Sequence, residues 1–70
     1  MALKQYIIVE NGSVKAKSRD GIVHRVYYNK GNSVPAVRAD WEEYEKSVSV
    51  LLENGKMLII SNNGIVLKRI

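Results

Sequence analysis

A fourteen-residue stretch recurs in this chain at a fixed offset of 43, and that recurrence limits the folds open to it. Glu10-Asn11-Gly12, Ser18 and Gly21-Ile22-Val23 reappear as Glu53-Asn54-Gly55, Ser61 and Gly64-Ile65-Val66, seven identities in the window. Looser matches flank them: Ile7/Val50, Ile8/Leu51, Val9/Leu52, Val14/Met57 and Arg25/Lys68. A repeat found in sequence points to a structural unit used twice. Here the unit runs apolar segment, Asn-Gly, second segment, Gly turn, third segment. Asn-Gly is the strongest short hairpin signal, because both residues accept positive φ.

The segments themselves predict strands. Gln5 to Val9 is apolar and β-branched. In Ser13 to Ser18, Val14, Ala16 and Ser18 alternate with Lys15 and Lys17, the pattern of a sheet with one wet face. Strict alternation over Ile22 to Tyr28 puts Val23, Arg25 and Tyr27 on the face opposite His24, Val26 and Tyr28. Residues 29–35 (NKGNSVP) break structure, since Pro35 cannot donate to a ladder. The second copy runs Lys46 to Leu52, Lys56 to Ser61 and Ile65 to Ile70. The fold class expected is all-β, a small barrel or sandwich of two three-stranded meanders (residues 3–28 and 46–70) joined by a loop over 29–45. The alternative is α+β with one helix at about 40–53. Asp40 and Glu43 fit a capping box, and Trp41, Tyr44, Val48 and Leu51 fall on one helical face. Against it, Ser47-Val48-Ser49-Val50 alternates and aligns with the first copy's opening strand.

One difference between the copies bears on function. Lys15 and Lys17 align with Leu58 and Ile60. The middle strand of the second copy is therefore apolar on both faces, which implies burial on both or contact with another subunit.

Seventy residues make one small domain with a marginal core, and 70 is the length here. Cys is absent and His24 is the sole histidine, so thiolate metal sites, a zinc set and disulfides are excluded. Residues 1–5 lack the features of a secretion signal, and no apolar run approaches a membrane span. The expectation is a cytoplasmic protein with no membrane contact. No serine has a nucleophile-elbow context, no Gly-rich phosphate loop occurs, and the acidic run Asp40, Glu42, Glu43 and Glu45 fits a solvated face. The chain is read as no enzyme, with no cofactor and no small-molecule substrate.

Net charge is +4 and unevenly spread: residues 1–38 hold seven Lys/Arg against two acids. A basic β-face with aromatic residues suits single-stranded DNA or RNA, because cations meet phosphates and rings stack on bases. Candidate contacts are Lys15, Lys17, Arg19, Arg25, Tyr27, Tyr28, Lys30 and Arg38. The alternative is a protein-interaction or self-assembly module of a small accessory or virus-encoded protein, a homodimer or a binder of a protein partner, using Trp41, Tyr44, Leu58 and Ile60 as its apolar contact.

Overall fold

A computed structural model describes residues 5–70, with residue 5 described in its backbone only. Residues 3 and 4, the start of the first predicted meander, lie outside the described residues. Seven strands follow in chain order: β1 (Gln5–Glu10), β2 (Ser13–Ser18), β3 (Val23–Tyr28), β4 (Ala36–Glu42), β5 (Ser47–Leu52), β6 (Met57–Ser61) and β7 (Val66–Arg69). They form two antiparallel sheets, ordered β1-β2-β3 and β4-β5-β6-β7. The two meanders are as the repeat predicts. The sheets pack as an open sandwich and do not close into a barrel.

Residues 36–42 correct the expected loop, since they add β4 as a fourth strand at the edge of the second sheet. The helix over 40–53 is also overturned. Val48 pairs with Trp41 on one side and Ile60 on the other, and Ser49 with Asp40 and Ile59. Coiling this segment would break two ladders at once, and β-branched valines favour the strand. The chain reverses between β4 and β5 over residues 43–46, ending on Lys46 at φ 53°.

The repeated Asn-Gly turns differ. Asn11 (φ 52°) and Gly12 (φ 80°) make a two-residue turn, with Glu10 opposite Ser13. In the second Asn-Gly pair only Gly55 has positive φ (86°). Gly55 N–H donates to Leu52 O (3.0 Å) and Leu52 N–H to Lys56 O (2.8 Å), a three-residue loop. The register of β5 on β6 is therefore one residue off that of β1 on β2. A one-residue slip exchanges the faces of a strand. Accordingly β2 buries Val14, Ala16 and Ser18, whereas β6 buries Leu58 and Ile60, the counterparts of Lys15 and Lys17.

The shared interior consists of Val14, Ala36, Val48, Val50, Leu52, Leu58 and Ile60, with Ile7, Tyr27, Tyr28, Val34 and Ala39 packed against it. Segment 29–35 fastens the sheets together. Lys30 N–H donates to Ser13 Oγ (2.9 Å) and the Tyr28 hydroxyl donates to Val34 O. Ala36 N–H donates to Gly12 O (2.8 Å), and Glu53 N–H to Pro35 O (2.9 Å). The side chain of Tyr28 and the backbone N–H of Lys30, two residues expected to touch nucleic acid, thus join β3 and the following loop to the rest of the fold.

Glu10 sits on the outer face of the first sheet between two lysines, Lys15 (3.1 Å) and Lys17 (3.0 Å). Lys17 first and Lys15 second hold its carboxyl below the ordinary carboxylate range. A carboxylate with a depressed folded pKa contributes stability above its unfolded pKa and loses it as pH falls through the folded value. The expected result is that Glu10→Gln flattens the acid limb of a pH–stability curve below the ordinary glutamate pKa of about 4.3. Its effect at neutral pH is small, as for other exposed ion pairs. Thermal melts from pH 3 to 7 check it.

Candidate nucleic-acid interface

Strict alternation along β3 would place Arg25 and Tyr27 beside Lys15 and Lys17. Two register shifts in the β2–β3 ladder prevent that. Val14 faces Tyr28 and Lys15 faces Val26, so Tyr27 is an extra residue; Ala16 faces Arg25 and Lys17 faces Val23, so His24 is another. Bulges re-aim side chains. Directly opposed residues share a face, which puts Val23 and Val26 with the lysines on the outer face and Arg25 with Ala16 on the inner one. The expected single basic face is therefore divided in two.

The inner side opens into a cleft of about 770 Å³ lined by Tyr6, Ile7, His24, Arg25, Tyr27, Ala39, Asp40, Trp41 and Asn62. Strands β1 and β3 supply one wall, β4 the other, and the β6–β7 turn closes one end. Trp41 enters because it pairs with buried Val48, which sets its side chain on the inner face of the second sheet. It remains 40% exposed. Its indole N–H donates to Glu43 Oε2 (3.1 Å), and Lys46 Nζ lies 2.7 Å from the same oxygen. These two donors, Lys46 foremost, hold the Glu43 carboxyl below its ordinary range, so a charged acceptor anchors the indole at the cleft edge.

Four ion pairs occur among the described residues: Lys15 and Lys17 with Glu10, Arg38 with Asp40, and Lys46 with Glu43. Arg25 has no carboxylate partner among them. Its guanidinium reaches toward the β6–β7 turn, with one nitrogen 3.7 Å from where a Cβ on Gly64 would stand. Asp20 is held below the ordinary aspartate range chiefly by the Ser18 hydroxyl and to a smaller degree by the backbone N–H groups of Asp20 and Ile22.

Of the eight residues expected to meet nucleic acid, the cleft gathers Arg25 and Tyr27. Lys15 and Lys17 are drawn onto Glu10. Arg19 is exposed on the β2–β3 turn, the Tyr28 hydroxyl and the Lys30 backbone N–H hold the following loop, and Arg38 pairs with Asp40 at 3.1 Å on the outer face of the second sheet. Of the four expected to meet a partner, Trp41 belongs to the cleft and Tyr44 is 93% exposed on the β4–β5 turn. Leu58 and Ile60 need correction: both lie in the interior, Ile60 fully enclosed. The extra residue in the second hairpin turned them inward. Sequence reasoning missed Tyr6, His24, Asp40 and Asn62. The available signal was the alternation Arg38-Ala39-Asp40-Trp41-Glu42, which marks β4 and hence the second wall.

No family model matches this chain, and neither a curated protein nor a solved structure matches it. No helix among the described residues is long and apolar enough to cross a membrane.

Proposed function

We propose that the protein is a non-catalytic binding module that holds single-stranded DNA or RNA in the cleft between its two sheets. The observation that carries this reading is the meeting of Tyr27 and Trp41 with Arg25 around one open cleft. Base–aromatic stacking contributes about 1–3 kcal/mol per base and tolerates any sequence. An arginine without a carboxylate partner suits a phosphate, which it can bind through two parallel hydrogen bonds. Asn62 brings an amide, both acceptor and donor, to the end of the same cleft, the kind of group that meets base edges. The net charge of +4 favours encounter with a polyanion.

The test is fluorescence anisotropy of a labelled short oligonucleotide at low ionic strength. Binding should weaken steeply with added salt, since phosphate contacts release counterions. Arg25→Ala should weaken it about tenfold or more, and Trp41→Ala about tenfold to a hundredfold, by loss of a phosphate contact and a stacking platform. Lys15→Ala should change it little, because that lysine is engaged by Glu10. Far-UV circular dichroism verifies that each variant folds. Salt-independent binding, or equal loss from Lys15→Ala and Arg25→Ala, would refute the cleft.

A further inference from the structure

The outer face of the second sheet lies on the opposite side from the cleft, and its side chains form rows across the strands. One row reads Asp40, Ser49, Ile59, Lys68; the next reads Arg38, Leu51, Met57 and, through paired backbone bonds between Met57 and Ile70, Ile70. A register shift after Ile59 makes Leu67 an extra residue beside Lys68. A groove of about 450 Å³ results, with Ser49 and Ile59 in its floor, Glu42 and Glu45 on the β4–β5 side, and Leu67, Lys68 and Ile70 on the β7 side. Leu67 and Ile70 are 60% and 63% exposed.

The first sheet supplies an internal comparison. Its outer face also carries exposed valines, Val23 and Val26, but centres on the ion-paired cluster of Glu10 with Lys15 and Lys17. At the same level the second sheet carries Met57 and Ile59. Contiguous exposed apolar surface on a small protein marks an interface. The charges identify the occupant. Glu42 and Glu45 on one margin and Lys68 on the other have no ion-pair partner among the described residues. A twofold axis parallel to the strands, between β5 and β6, lays the acidic margin of one copy over the basic margin of the other. It also sets Ile59 near its own symmetry mate. Such a patch is complementary to itself, the requirement for an isologous contact.

We propose that this face joins two copies of the chain into a symmetric dimer, with Glu42 and Glu45 of each facing Lys68 of the other across an apolar floor. The clefts then point outward from opposite sides of the dimer, so the proposal stands independently of what the cleft binds.

Sedimentation equilibrium over a wide concentration range tests it. The wild type should show a reversible monomer–dimer equilibrium. Ile59→Lys should be folded and monomeric. Glu42→Lys and Lys68→Glu should each weaken the dimer about tenfold, and the double variant should regain most of the loss, because reversing both charges restores the pairing. Three results would overturn the proposal: a wild type that stays monomeric to near-millimolar concentration, a folded Ile59→Lys that still dimerises as the wild type does, or losses from the two charge reversals that simply add.

Discussion

Ile60→Lys is expected to abolish the folded state. Ile60 has no exposed surface and packs at the centre of the interior shared by both sheets. A lysine there must either bury an ammonium group without a partner, at several kcal/mol even after relaxation, or force β6 away from the rest of the core. The loss of isoleucine packing adds about 2–5 kcal/mol by analogy with large-to-small core changes. A domain of this size has net stability near the low end of about 5–15 kcal/mol, so the sum exceeds what is available. The variant should give a disordered far-UV spectrum and no cooperative thermal transition. Ile59→Lys, one residue earlier on the opposite face, should keep both. The pair is informative because the repeat aligns Ile60 with Lys17, a lysine that the fold tolerates. If Ile60→Lys melts cooperatively near the wild-type temperature, the interior has been assigned to the wrong face of β6.

Gly12→Ala should cost about 3 kcal/mol or more, and Gly55→Ala, its repeat counterpart, only about 1 kcal/mol. Both glycines have positive φ, 80° and 86°, and a left-handed non-glycine residue costs about 1–2 kcal/mol. The difference lies in the surroundings. A Cβ on Gly12 would stand 2.7 Å from Pro35 Cβ and 3.2 Å from Pro35 Cα, whereas one on Gly55 meets nothing within 4 Å. Lys30 Cδ, also 2.7 Å away, can swing aside; the proline ring cannot. Pro35 is fixed because its carbonyl accepts Glu53 N–H (2.9 Å) and the next residue, Ala36, donates to Gly12 O (2.8 Å). Pushing it away strains the link between the sheets. A destabilisation of 1 kcal/mol lowers Tm by about 4–8 °C in a domain this small, so the two variants should separate clearly in a thermal melt. Equal shifts would mean that the loop does not press on the hairpin as described.

The strands of both meanders and their turns were legible because each turn carries its own chemistry. Asn11-Gly12, Asp20-Gly21, Asn54-Gly55 and Asn63-Gly64 each mark a reversal, and the segments between them are β-branched or alternate. The register of the second hairpin was not legible. Glu10-Asn11-Gly12 and Glu53-Asn54-Gly55 are identical triplets with different conformations. What separates them is tertiary: Glu53 N–H is taken by Pro35 O, from a loop remote in sequence, and so does not pair with β6. The three-residue loop that goes with this contact sets which face of β6 turns inward, and hence that Ile60 is core. Strand β4 was obscured by a competing signal, the helical spacing of Trp41, Tyr44 and Val48. The cleft was only partly visible for a related reason. Bulges at His24 and Tyr27 break the alternation on which any assignment of faces in β3 rests, and nothing in the composition of VHRVYY announces them.

The proposed binding mode requires a nucleic-acid strand to lie in the inter-sheet cleft, and Trp41 reports on that cleft directly as the only tryptophan of the chain. Its emission should be quenched in a saturable way when a short single-stranded oligonucleotide is titrated in at low salt, since a base stacking on the indole provides the quenching partner. The signal should recover on raising the salt and should shift to higher oligonucleotide concentration in Arg25→Ala. Emission that stays constant while anisotropy reports a bound oligonucleotide would place the strand elsewhere on the surface and contradict the cleft as the binding site.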